Sequence, residues 1–185
     1  PHQVYGGYET MATLMTGTTP AYHSIMSNSY FDRKERTPHS ILEDPSSSGL
    51  GTSRTLSARS LPATTITDEW RIRYGAEAKI YAIGLQPEAT ILMAGHAADA
   101  CSWLDQTSCK WVSTAFYPKG LTIAADQMNM SRHIDILIEQ DWKPLMDIAL
   151  YKFQTEEERK PGTNRLTTGC IQNTQESFVL VIRQK

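Results

Sequence analysis

One pattern constrains the fold of this 185-residue chain more than any other. Ile66, Trp70 and Tyr74 recur at four-residue steps, Gly75 follows, and then comes the apolar run KIYAIG at residues 79–84. The first spacing predicts one face of a helix with a glycine stop. The second predicts a strand buried on both faces. A helix leading into such a strand is half of a βαβ unit and points to an α/β fold. Residues 86–93 then leave two readings open, a short helix or a further strand, because ATILMA suits either.

Further elements can be read on both sides. Tyr8, Met11, Ala12 and Met15 repeat at three- and four-residue steps and predict a helix over residues 8–16, with Gly17 to end it. Residues 44–60, DPSSSGLGTSRTLSARS, have loop composition and carry two arginines with no acid after Asp44. Residues 100–104 and 110–117 predict two strands around the turn 105–108, with Trp103 and Trp111 helping to pin the hairpin. Met130, Ile134, Leu137 and Ile138 give helical period over residues 130–141, which Pro144 limits. TEEERKPGTNR, from Thr155, is expected to be a solvated loop. The final FVLVIRQK has strand composition, yet Asn173 and Glu176 are spaced as a capping pair, and a helix from Thr174 is favoured.

Composition narrows the function classes. Net charge is −2 and the isoelectric point is about 6.2, so no basic field exists to draw a nucleic acid polymer or anionic lipid. The longest apolar runs, such as residues 178–182, are too short to span a bilayer, and no signal peptide is visible. A start at Pro1 without Met is expected of a fragment or a processed protein. The three cysteines, Cys101, Cys109 and Cys170, form no CxxC and no zinc-spaced cluster. If Leu104 pairs with Cys109 across the hairpin, Cys101 lies opposite Val112, so register argues against a disulfide and for free thiols.

Several stretches in order carry a resemblance. They are TGTTPAYHSIMSNSYFDR at 16–33, SARSLPATTITDEW at 57–70 with the strand 79–84, AGHAADACSWLD at 94–105 with KWVSTAFY at 110–117, and DWKPL at 141–145. The set resembles the type I phosphodiesterase/nucleotide pyrophosphatase branch of the alkaline phosphatase superfamily. That resemblance implies a three-layer α/β fold with a mainly parallel sheet. It implies two zinc ions held by scattered Asp and His residues, with a Thr or Ser nucleophile at a helix start. Two cations there would neutralise the phosphoryl oxygens and stabilise the leaving oxygen. It also implies a periplasmic or secreted location.

Matched to that pattern, the chain lacks much of the equipment. The first Asp ligand would precede Pro1 and the later Asp/His pairs would follow Lys185. What remains resembles part of the fold, an early catalytic-domain segment over residues 1–93 and a cap-like insertion with a β-hairpin over 94–185. Such a piece cannot close the usual sheet. No zinc is expected on this chain, although complete members would carry it.

Counting back from TGTTP places the nucleophile position at Gly7. Glycine cannot attack phosphorus, but it leaves room for an anion at a helix start. Asn28 matches a family Asn that contacts a phosphoryl oxygen, and its amide can donate two hydrogen bonds. Arg59, in SARSL, stands where relatives offer a basic residue toward substrate. Gly7, Asn28 and Arg59 are thus the candidate phosphate-binding residues, with no catalytic residue and no metal ligand. Gly7 also has a bland reading as a turn opener, Asn28 as a turn residue and Arg59 as a solvated surface charge. His96 and Asp99 in GHAAD are three apart and could face one metal, but two ligands do not make a zinc site, and a hydrogen-bonded structural His96 is the expectation. His23 and His133 have no partner that spacing identifies. Three functions follow: a phosphohydrolase or phosphodiesterase whose piece this is, inactive alone; a non-catalytic relative that binds a phosphate-containing small molecule or nucleotide; or a structural or interaction fragment.

Overall fold

Thr65 and Asp68 start the element on which the rest is hung. In the computed structural model, which describes residues 7–132, 134, 136 and 177–183, they form a reciprocal capping box at the head of helix α3, Ile66–Tyr74. The Thr65 side chain accepts from the Asp68 backbone N–H, and the Asp68 carboxylate accepts from the Thr65 N–H. The signature, Thr-x-x-Asp, is plain in TITD. A 3₁₀ turn over Gly75–Glu77 leads into strand β4, Ala78–Gly84. Helix α4, Pro87–Ala94, then crosses over to strand β5, Ala100–Asp105, which pairs parallel to β4 with Tyr81 opposite Ala100. The ambiguous segment is therefore a helix, and β4–α4–β5 is a complete βαβ unit. Pro87 in its first turn favours that outcome.

Before this unit come α1, Tyr8–Thr16, and the short α2, Pro20–His23. They are followed by a two-stranded antiparallel hairpin of β1, Ser29–Asp32, and β2, Thr37–Ser40. Asp32 Oδ1 accepts from the N–H groups of Lys34 and Glu35 and so shapes the hairpin turn. A two-residue strand β3, Gly49–Leu50, lies within the Ser-rich loop. After β5 come β6, Lys110–Thr114, the helix α5, Ile123–Met130, and β7, Ser177–Arg183. Among the described residues the second sheet runs β3-β6-β5-β4-β7, with only the β4–β5 pair parallel. The chain is thus mixed α/β with a mixed sheet. β4 and β5, on either side of residue 93, are neighbours in it.

Two expectations need correction. The final run is a strand, not a helix from Thr174: β7 lies antiparallel along all of β4, from Ala78 opposite Arg183 to Gly84 opposite Ser177. Pairing along seven residues satisfies the backbone groups that face β4, and β-branched residues suit that state. Asn173 and Glu176, the supposed capping pair, lie outside the described residues. The hairpin register also differs by two, since Leu104 pairs with Trp111 and Asp105 with Lys110. Cys101 and Cys109 are free thiols; Cys170 lies outside the described residues. So do residues 141–145, the Thr155 stretch and seven of the twelve residues of the helix expected at 130–141. At its expected start Met130 instead ends α5, residues 131–132 form a turn, and 134 and 136 are helical.

The main core gathers Ile25, Leu42, Leu56, Ile80, Ile91, Leu92, Trp103 and Tyr117. α4 is buried almost all round, and β4 buries every second residue. His23 is fully buried beside this core. Its Nδ1 accepts from the Ile25 N–H, which leaves Nε2 to donate to the Thr13 hydroxyl. Burial pushes its pKa down, so it stands neutral. α3 is turned the other way from its apolar stripe: Ile66 and Ile72 are exposed, while Thr67 and Asp68 are buried.

Candidate functional site

The start of α1 brings two of the three candidate residues together. Gly7 is the N-cap, at φ 49° and ψ −156°, a region open in practice to glycine alone. It offers no side chain to cap the helix. Asn28, 21 positions on, does so instead: its Oδ1 accepts from the Tyr8 N–H at 2.8 Å. That bond fixes which end of the amide faces the helix, and among the described residues Nδ2 has no partner. Asn28 is held from behind by the Ile41 N–H, which donates to its carbonyl at the base of the β1–β2 hairpin. A β-carbon on Gly7 would lie 2.3 Å from Asn28 Oδ1 and 2.6 Å from Glu9 Oε2. The space a nucleophile's side chain would take is thus already lined by an amide and a carboxylate.

Arg59 does not join them among the described residues. Its Nε lies 3.2 Å from Asp44 Oδ2, and its guanidinium sits over the Phe116 ring. Asp44 also accepts from the Ser46 and Ser57 hydroxyls. Although burial opposes ionisation, these bonds and Arg59 bring its pKa to about 2. The Ser-rich loop uses its arginine as a staple.

The arginine that reaches the helix start's surroundings is Arg54. Glu88, at the head of α4, accepts from the Tyr8 hydroxyl at 3.0 Å, from the Ser40 hydroxyl at 2.9 Å and from Arg54 Nη2. Burial, then the Glu88 charge, push the Tyr8 pKa far up, so the phenol stays protonated. Tyr8 links both features: its backbone meets Asn28 and its hydroxyl meets Glu88. Sequence reasoning passed over Glu88 because a glutamate in a first helical turn is common. Only the all-round apolar character of the rest of α4 marked it as a buried charge.

His96 and Asp99 part company. His96 Nδ1 lies 2.8 Å from Asp68 Oδ2 and its Nε2 lies 2.9 Å from the Leu61 carbonyl. Asp99 accepts from Arg71, from Lys119 and from the Ile80 N–H. The two side chains serve separate joints of the fold, as expected of a hydrogen-bonded structural His96.

No protein-family profile matches the chain. Alkaline phosphatase PhoV of Synechococcus elongatus is 29% identical over 147 residues, which is 78% of this chain and 27% of that protein. Alkaline phosphatase PafA of Elizabethkingia meningoseptica is 26% identical over 149 residues, with the same shares. A calcium-transporting ATPase of Myroides odoratus is 27% identical over 150 residues. The crystal structure of wild-type PafA superposes with a TM-score of 0.70 at 26% identity, over 78% of this chain and 29% of that one. This chain is a relative of the alkaline phosphatase superfamily. It spans a little over a quarter of the length of the relatives it matches.

Members of that superfamily are generally metal-dependent, but the residues described here do not fit a metal centre. No three His, Cys, Asp or Glu side chains among them converge on one point. The carboxylate nearest Tyr8's hydroxyl is already matched to the Arg54 cation. No helix among the described residues is long and apolar enough to cross a membrane.

Proposed function

We propose that this chain supplies the helix-start portion of a phosphohydrolase-type protein and binds a phosphoryl group there without forming a covalent intermediate. The observation that carries the reading is the closure of α1 by Asn28 across Gly7. A helix start presents backbone N–H groups and partial positive charge to an anion. Asn28 Nδ2 adds a side-chain donor at the same place. Gly7 supplies no hydroxyl, so the attacking group of the superfamily is missing and the expected outcome is recognition without turnover. The ligand class is a phosphate-containing small molecule, a nucleotide included. Kinship alone supports a periplasmic or secreted location, and zinc is proposed only for complete members.

Titrating inorganic phosphate into ¹⁵N-labelled chain tests this. Backbone amides of residues 8–10 and the Asn28 side-chain amide should move together, and Asn28→Ala should weaken the response. Shifts that cluster elsewhere would move the site. No shift at all would favour a second reading, an interaction fragment, which the outward Ile66 and Ile72 of α3 support.

A further inference from the structure

The environment of Glu88 is unusual for a glutamate in a first helical turn. Such a residue gains from the helix dipole while remaining in water. Glu88 is instead withdrawn from solvent, with its side chain only 5% exposed. Removing a carboxylate from water costs several kcal/mol unless donors replace the water. Here three donors do so, and they come from three separate segments: the Tyr8 hydroxyl of α1, the Ser40 hydroxyl of β2 and the Arg54 guanidinium of the Ser-rich loop. Two hydroxyls and a guanidinium converging on two oxygens also suit a phosphate or sulfate.

A cavity of about 370 Å³ opens beside this cluster, lined among others by Tyr8, Arg54, Gln86, Glu88, Asp105 and Gln106. Arg54 is the exposed partner, its side chain 42% open to solvent. Among the described residues its side chain bonds only Glu88, which leaves most of its five N–H donors for a ligand in the cavity.

We propose that Tyr8, Ser40 and Arg54 form an oxyanion-binding seat that Glu88 occupies as a built-in stand-in for the ligand. A phosphate- or sulfate-sized anion takes the seat when Glu88 gives way. This seat uses the Tyr8 hydroxyl, not the Tyr8 N–H that Asn28 caps, and does not rest on the reading given above for the helix start. Because Glu88 is tethered beside its donors, a free anion competes against a high local concentration of carboxylate, and the intact chain binds weakly at this point.

The test is phosphate titration of the full 185-residue chain at fixed ionic strength, followed by calorimetry and amide shifts. Glu88→Ala should bind inorganic phosphate at least about tenfold more tightly than the parent, the scale set by loss of a tethered competitor. Glu88→Gln, which keeps the volume and an acceptor but not the charge, should show a smaller gain. Adding Arg54→Ala to Glu88→Ala should abolish the gain, and adding Asn28→Ala should leave it intact. No gain in either Glu88 variant overturns the proposal. So does a gain that survives Arg54→Ala, or one that vanishes with Asn28→Ala. Should Glu88→Ala fail to fold by circular dichroism, Glu88→Gln with and without Arg54→Ala decides alone.

Discussion

Asn28 caps the helix that Gly7 begins, and the two fit only because Gly7 has no side chain. A β-carbon there would stand 2.3 Å from Asn28 Oδ1, on a backbone with φ 49°. Gly7→Thr therefore does not simply restore a nucleophile. It strains the backbone and forces Asn28 off the Tyr8 N–H. The expected cost is about 1–3 kcal/mol for the backbone alone. Asn28→Ala removes one cap bond and should cost about 1 kcal/mol. The double variant should cost less than the sum, because truncating Asn28 removes the tighter of the two clashes and leaves only the one with the flexible Glu9 carboxylate. A denaturant-unfolding double-mutant cycle measures this, and strict additivity would contradict the contact.

Glu9 places a second acceptor at the same end, 2.6 Å from that β-carbon position. A carboxylate in the first turn already answers the helix dipole. An incoming phosphate must displace or repel it. Glu9→Gln should thus tighten phosphate binding severalfold at low salt, and the advantage should shrink as ionic strength rises. Equal affinity for both proteins across a salt series would show that the anion binds elsewhere.

The sequence showed α1, α3, β4, the β5–β6 hairpin and both residues of the helix-start pair, but not α2, the β1–β2 hairpin, β3, α5 or the buried polar joints. β4 was legible because an apolar run must be covered, and α1 because its period was clear. β7 was misread because local capping spacing pointed to a helix, while a pairing partner nearly a hundred residues away decided the outcome. α3 was legible as a helix but not in its facing. Its inward side is fixed by Asp68 and Arg71, whose partners lie in the 94–99 loop. In the Ser-rich loop the resemblance singled out Arg59 and not Arg54. Only the positions of Asp44 and Glu88 separate the staple from the residue facing a cavity.

Asp68 and His96 should give the fold a pH window. Asp68 is buried and takes donors from Thr65 N, His96 N, Ala97 N and His96 Nδ1. Burial opposes its charge, but the bonds win and bring its pKa to about 2. The stability it contributes is present above the unfolded value of about 3.9 and is lost as pH falls toward about 2. His96 has its pKa raised, chiefly by the bond to Asp68 against the opposing effect of burial. Its contribution is full below about 6.5 and is lost as pH rises through the raised value. The stability gap between the parent and His96→Gln should therefore be wider at pH 5.5 than at pH 9. His23, whose pKa shifts down, is common to both proteins and cancels in that difference. Asp68→Ala, which strands several buried donors at once, should cost about 3 kcal/mol at neutral pH. A gap independent of pH would mean that His96 acts by packing alone.

Arg71 should not tolerate lysine. Its Nε donates to the Ala97 carbonyl at 3.1 Å, Nη1 to the Ala78 carbonyl at 2.6 Å and Nη2 to Asp99 Oδ2 at 2.7 Å. One planar group thus ties α3 to the entry of β4 and to the loop before β5. Asp99 in turn accepts from the Ile80 N–H, so the same carboxylate holds the edge of the parallel pair. Lysine carries the charge but offers a single nitrogen, which cannot meet three acceptors in three directions. Lys119, 3.3 Å from Asp99 Oδ1, can neutralise the carboxylate but does not reach the two carbonyls by any bond among the described residues. Arg71→Lys should cost about 2 kcal/mol, the worth of charged hydrogen bonds lost to partly buried acceptors. Thermal unfolding should show the loss, and hydrogen exchange should place it at Ile80 and at the amides of residues 97–99. An unchanged melting temperature with unaltered protection at Ile80 would mean that the Asp99 joint holds without the guanidinium.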